Sequence, residues 1–247
     1  MNPYYIDSGI EIYNGNCLEL MPLLPANSID CCITDSPYGI SNEVKITRGR
    51  NKMKFGGSDI SHNFGEWDSF KDNESFMRFT FSWMDEVFRV LAEDACLITF
   101  FDRDKINHLS DYARSKGFIR RNYIYYCKSN PVPQARKVNW QSSVEVGVIL
   151  TRGKKICNYK EGQHKEYWEL PIVGGDKRTE HPTQKPIEIF SDLVRWWSSP
   201  GLIVLDPFMG SGTTEVAAKL HKRQFIGFEV EQKYCDISKL RLQQDSM

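Results

Sequence analysis

The sequence predicts an α/β fold, a largely parallel sheet with helices on both faces. Two observations carry this. Short apolar runs rich in β-branched and aromatic residues recur along the chain, and segments of helical periodicity separate most of them. Strands joined through helices pair in parallel, and a sheet covered on both faces needs strands that are apolar throughout. At 247 residues the chain suits one core with insertions better than two independent domains.

Strands are predicted at 29–34, 96–101, 122–127, 144–150, 202–205 and 224–230. Between them, 74–91 places Phe76, Phe79, Trp83, Met84, Val87, Phe88 and Leu91 at helical spacing, a stripe expected to face the core. Further helices are predicted at 105–116, 186–197 and 213–220, the second opening with a proline that suits a first helical turn. Two stretches break the pattern: 41–73 is rich in Gly, Asn and Lys, and 154–180 is polar. The first is read as an insertion and the second as a polar connection, since loops of such length inside a compact domain are usually functional or disordered.

Lysine plus arginine equals aspartate plus glutamate at 32 each, so nothing global attracts a polyanion and any nucleic-acid surface must be local. The seven cysteines form no C-x-x-C pair, which argues for a reducing compartment without a disulfide framework or structural zinc. Cys31 and Cys32 are adjacent in a strand-like run and so point to opposite faces. The five histidines are scattered, and no metal is expected. The opening residues lack a basic start followed by an apolar core, and no apolar run approaches the roughly 20 residues of a membrane span. A cytoplasmic protein is expected.

Residues 204–214, VLDPFMGSGTT, read as a buried strand, a glycine-rich turn and a helix start; Glu229 closes the next strand. Gly210 and Gly212 let the backbone approach a ligand, the free amides of a helix N-terminus favour an anionic group, and the distal acid accepts from ribose hydroxyls. A dinucleotide fingerprint needs a third glycine, where this chain has Glu215. A tight strand-to-helix turn without a ligand uses the same residues.

Residues 33–39, ITDSPYG, follow a strand whose carboxyl end faces the same crevice in a parallel sheet. Asp35 and the carbonyl of Ser36 form a pair of acceptors, Pro37 holds Ser36 extended, and Tyr38 offers an aromatic face. Such a set suits an exocyclic base amine, whose lone pair is delocalised until its hydrogens are held out of the ring plane. A base must leave the duplex to reach it, and a tyrosine provides a stack. A plain surface turn also uses Asp, Ser and Pro.

With residues 181–186, HPTQKP, just before the glycine strand, the chain resembles a bacterial or phage amino-group DNA methyltransferase of the beta arrangement. The resemblance covers 12–38, the elements through 150, and 181–242. It implies a Rossmann-like S-adenosylmethionine-dependent sheet, permuted so that the catalytic tetrapeptide precedes the cofactor motif. It further implies S-adenosylmethionine as cofactor and double-stranded DNA as partner, with a homodimer left open. By resemblance Asp35, Ser36, Pro37 and Tyr38 are catalytic. Asn16, Asp206, Phe208, Gly210, Gly212, Thr213 and Glu229 contact the cofactor, and His181, Thr183 and Lys185 shape the pocket for its methionine end. Ser36 replaces the family's usual proline, which implies a less rigid loop. Asn16 replaces a frequent aspartate and still hydrogen-bonds adenine.

Asp as first residue of the tetrapeptide favours adenine N6 as the target, with cytosine N4 open; carbon-5 methylation needs a cysteine nucleophile, and no Pro-Cys dipeptide exists. A nicotinamide oxidoreductase shares only the glycine loop. A methyltransferase of RNA or protein amides shares the chemistry, and a non-catalytic DNA-binding module would not need Asp35 and Tyr38. Lys45, Arg48, Arg50, Lys52 and Lys54 are expected to contact phosphates, and Arg136 and Lys137, in 128–140, mark a second recognition segment.

Overall fold

The computed structural model describes residues 1–39, 70–133, 140–154, 157, 163–175, 179 and 184–244. The chain opens with a hairpin of β1 (Tyr5–Asp7) and β2 (Ile10–Asn14), then α1 (Cys17–Leu20), capped by the Asn16 side chain, and β3 (Ile29–Asp35). Helix α2 (Asn73–Val90) starts in a capping box in which the Asp72 carboxylate accepts from the Ser75 amide at 2.7 Å. It runs directly into β4 (Leu91–Phe101), followed by α3 (Ile106–Ser115), β5 (Ile119–Lys128), β6 (Val144–Thr151) and β7 (Tyr167–Leu170). The last part is α4 (Ile187–Trp197), β8 (Ile203–Asp206), α5 (Thr213–Leu220), β9 (Gln224–Glu229) and α6 (Gln232–Gln244).

Among the described residues the strands form one sheet in the order β1-β2-β9-β8-β3-β4-β6-β5-β7. Alternate side chains serve two cores. Ile33, Ile98, Phe100 and Val204 pack under α4, α5 and α6, while Cys32, Leu97, Phe101 and Leu205 pack under α2 and α3. Cys31 and Cys32 accordingly fall in different cores. The α/β sheet with helices on both faces is as predicted from the sequence.

The sheet is less parallel than predicted. β4 pairs with β6 and β6 with β5 in antiparallel fashion, so that β6 returns into the slot beside β4. All six predicted strands and four predicted helices are present, but β4 starts at Leu91, well before the predicted 96, so that Leu91 opens a strand where the sequence placed it in the helix; Pro186 is the N-cap of α4, one position before its first turn. Not predicted were β1, β2, α1, α6 and β7. β7 lies inside the stretch read as a polar connection; it is a four-residue edge strand, YWEL, too short to register as periodicity.

Strand direction fixes the place of the site. β2, β9, β8, β3 and β4 are mutually parallel, so Asn14, Glu229, Asp206, Asp35 and Phe101 end on one edge of the sheet. The antiparallel β6 begins there, and β5 ends there, which adds Glu145 and Lys128.

Candidate active site

Asp35 is the last residue of β3, and its neighbour Thr34 donates a hydrogen bond of 2.6 Å to Asp206 at the end of β8. That bond ties the tetrapeptide to the glycine loop. Around Asp35 the groups are charged and paired. Oδ2 accepts from Lys185 Nζ, and Oδ1 accepts from the Tyr38 hydroxyl at 3.0 Å. Lys185 also pairs with Glu145 Oε2 at 2.8 Å, and Lys128 holds Glu145 Oε1 at 2.6 Å. Two lysines therefore face two carboxylates. Lys185 is only 6% exposed, an environment in which an ammonium needs such partners.

The balance fixes protonation. Burial raises the Asp35 carboxyl above its usual range, Lys185 pulls it down and Glu145 pushes it up, and the net direction is upward. Burial acts on Glu145 too, but Lys185 and Lys128 outweigh it and hold that carboxyl at about 2. Burial would lower Lys185; Asp35 and Glu145 reverse this and keep it a cation. Burial, then the Asp35 charge, raises Tyr38 well above the usual phenol range, so Tyr38 is a donor at neutral pH.

Ser36 is buried. Its hydroxyl donates to the Phe100 carbonyl at 3.0 Å and accepts from Thr99 Oγ1 at 3.1 Å. Where a proline would stiffen the loop through its ring, this serine fastens it to β4. The looser loop expected from the sequence therefore has a compensating tether.

The second half lies across β8 and β9. Gly210 and Gly212 have φ of 53° and 81°, left-handed values that glycine adopts without strain, and Gly212 caps α5. A Cβ at Gly212 would fall 2.1 Å from the Glu215 carboxylate. Glu229 accepts from the Gly210 amide at 2.9 Å and the Glu231 amide at 2.8 Å, which fixes its carboxylate at the mouth of a 160 Å³ cavity. Gly15, Asn16, Cys17, Pro207, Phe208 and Glu229 line it, with Phe79, Phe228 and Val230. Flat apolar walls with an amide and a carboxylate at the rim fit a purine carrying a ribose. Asn16 Oδ1 accepts from the Leu18 amide at 3.0 Å, leaving its NH2 to donate.

The acids of this half lack the pairing seen at Asp35. Burial raises Asp206 to about 6, against hydrogen bonds from Thr214, Thr34 and the Phe208 amide. Burial likewise raises Glu229 to about 7 and Glu215 to about 8. Among the described residues no lysine or arginine forms an ion pair with Asp206 or Glu229.

Of the residues singled out in the sequence, Asp35, Ser36, Pro37, Tyr38, Asp206, Phe208, Gly210, Gly212, Thr213 and Glu229 gather at this edge, with Asn16. Lys185 is there too, but its ammonium meets Asp35 and Glu145, where the resemblance implied the methionine end of the cofactor. His181, Thr183, Lys45, Arg48, Arg50, Lys52, Lys54, Arg136 and Lys137 lie outside the described residues. Sequence reasoning missed Glu145 and Lys128, and read Phe79 only as core, against which it packs while also lining the cavity.

A sheet that gathers the Asp35 tetrapeptide at its strand ends beside a cavity lined by Asn16, Phe208 and Glu229 is an arrangement suited to an enzyme with a nucleoside cofactor. The chain belongs to a family described as DNA methylase, the N6 and N4 amino-methyltransferases, whose model matches residues 29–240. It is 30% identical to Type II methyltransferase M2.MboI of Moraxella bovis over 98% of this chain and 91% of that protein. It is 31% identical to Type II methyltransferase M.HinfI of Haemophilus influenzae over 94% of this chain and 68% of the relative. Among solved structures the PvuII cytosine-N4-specific DNA methyltransferase superposes with a TM-score of 0.77 at 18% identity, covering 97% of this chain and 88% of that one. M1.HpyAVI in complex with SAM superposes with a TM-score of 0.71 at 24% identity, covering 94% and 98%. At these identities the likeness is one of fold.

No described helix is long and apolar enough to cross a membrane, and among the described residues no cluster of His, Cys, Asp or Glu is suited to hold a metal.

Proposed function

We propose that this DNA methylase transfers a methyl group from S-adenosylmethionine to the N6 amine of adenine in double-stranded DNA. The observation that carries the reading is the half-buried Asp35 carboxylate, held by Lys185 and Tyr38 and tied through Thr34 and Asp206 to the cavity that suits an adenosyl group. When bound there, S-adenosylmethionine supplies a methyl carbon activated by its positive sulfur. Glu229 would accept from its ribose hydroxyls and Asn16 would bond its adenine, in a cavity that Phe79, Phe208 and Phe228 also line. Asp35 and the Ser36 carbonyl accept the two hydrogens of the target amine, which frees the nitrogen lone pair to meet the methyl carbon. Once methylated, the nitrogen releases a proton, and Asp35, with its raised affinity for protons, receives it. Tyr38 stacks on the extruded base.

Asp35 at the head of the tetrapeptide supports adenine, because amine methyltransferases of this type that begin with Asp act on adenine more often than on cytosine. Lys45, Arg48, Arg50, Lys52, Lys54, Arg136 and Lys137 are proposed to contact DNA phosphates, and His181 and Thr183 the cofactor. Unmethylated plasmid DNA incubated with the protein and isotopically labelled S-adenosylmethionine, then digested to nucleosides for mass spectrometry, should yield labelled N6-methyladenine. Labelled N4-methylcytosine would move the target to cytosine with the same chemistry, and label in RNA or protein but not in DNA would overturn the reading.

A further inference from the structure

Both oxygens of Asp35 are engaged before any substrate arrives, Oδ2 by Lys185 and Oδ1 by the Tyr38 hydroxyl. An amine that is to donate to this carboxylate competes with those donors. Moving Lys185 off Asp35 would strand an ammonium that is 6% exposed, and an unpaired buried charge is strongly destabilising. A second acceptor is in place. Glu145 Oε2 lies 2.8 Å from Lys185 Nζ and 3.5 Å from the Tyr38 hydroxyl, so one oxygen is within reach of both donors that occupy Asp35. Lys128 grips the other oxygen, Oε1, at 2.6 Å, which turns Oε2 toward the site.

We propose that Glu145 is a positioning residue of the amine site, an acceptor onto which Lys185 and Tyr38 shift their hydrogen bonds when the target amine takes Asp35. This rests on the amine-methylation reading and adds to it a residue on a different strand from the tetrapeptide. Glu145 suits the part because it stays an anion down to low pH, held there by two lysines against the cost of burial. Lys185 stays a cation and so cannot itself act as the base. Among the described residues the charged and titratable groups facing Asp35 are Lys185, Glu145 and Tyr38; Lys128 stands behind Glu145, Asp206 ends β8, and Asp102 acts on Tyr38.

Single-turnover transfer to unmethylated plasmid DNA tests this with Glu145→Gln, Lys185→Gln and the double variant, alongside calorimetric titration with S-adenosylmethionine. Glu145→Gln should slow transfer roughly tenfold or more, the scale of a lost charge-assisted hydrogen bond, with unchanged cofactor affinity. In the Lys185→Gln background the same change should cost far less, since no ammonium is left to strand. The acid limb of the Glu145→Gln rate profile should move to lower pH, because the negative charge that raises Asp35 is gone, and Glu145→Asp should recover part of the rate. Equal losses in both backgrounds with an unmoved acid limb would mean that Glu145 only supports the local fold, and would overturn the proposal. Transfer by the unaltered protein with a Glu145→Gln variant of equal rate would remove this inference alone; no transfer to DNA by the unaltered protein would remove the methylation reading and the inference together.

Discussion

At the end of β3 two carboxylates, Asp35 and Glu145, face two lysines, Lys185 and Lys128, whereas at the ends of β8 and β9 Asp206 and Glu229 are held by hydroxyls and backbone amides. Burial is deeper around Asp206 and Glu229 than around Asp35 and Glu145, and the sharper contrast lies in compensation. The first group is electrically complete and suits a neutral substrate, a base amine, which brings hydrogen-bond donors and no charge. The second holds its carboxyls well above their ordinary range, at about 6 and about 7. A ligand that brings hydroxyl donors and a positive sulfur favours their ionised forms, which ties cofactor binding to pH.

The largest effect that could break this division is at Asp35. Asp35→Ala should reduce methyl transfer by about a hundredfold or more, the usual range for a group that accepts a proton in the reaction. A rate near that of the unaltered protein would take the amine away from β3. Next is Glu229→Ala, which should weaken S-adenosylmethionine binding by about 1.5 to 3 kcal/mol, the worth of hydrogen bonds to a charged acceptor. Unchanged affinity in a calorimetric titration would move the ribose elsewhere.

The pH dependence of that affinity sharpens the contrast further. Glu229 titrates at about 7 in the free protein, and ribose donors favour its anion, so binding should weaken as pH falls below about 7, approaching tenfold per pH unit for one coupled proton. Flat affinity between pH 6 and 8, roughly a unit either side of that value, would mean that Glu229 is not the ribose acceptor. The smallest effect concerns stability. Glu215 is fully buried, with one carboxyl oxygen lacking a hydrogen-bond partner among the described residues, and burial raises it from 4.5 to about 8. Between those values the folded chain holds a proton that the unfolded chain has released, so the contribution of Glu215 to stability falls as pH rises, by up to about 1.4 kcal/mol per pH unit. Glu215→Gln should flatten the fall of Tm between about pH 5 and pH 8. An unaltered slope would assign the loss to the other buried acids.

The sequence made one half of the site far more readable than the other. The strand, glycine turn and helix from β8 to α5 are local, and their punctuation by Asp206, Gly210 and Gly212 is visible in consecutive residues. Asp35 and Tyr38 were legible for the same reason. Glu145 was not, since it sits 107 positions from Tyr38 on a strand whose antiparallel return alone brings its first turn of chain to the site. Lys185 was found through its segment, but its pairing with Asp35 and Glu145 was not, because a motif names a residue and only the packing names its partners. Phe79 shares a helical stripe with Phe76 and Trp83, and periodicity cannot separate a ring that fills the core from one that roofs a cavity. Strands β1 and β7, of three and four residues, are too short for an alternation to stand out, and α6 is too polar for its apolar face to show.

The amine site and the cofactor site are separable, joined by the bond from Thr34 to Asp206 but each suited to its own ligand. Calorimetric titration of S-adenosylmethionine into the Asp35→Ala protein tests that most directly. The account expects an affinity indistinguishable from that of the unaltered protein, in a variant that no longer methylates DNA. A loss of cofactor binding as large as that of Glu229→Ala, in protein that remains folded, would contradict it and place Asp35 in the cofactor pocket.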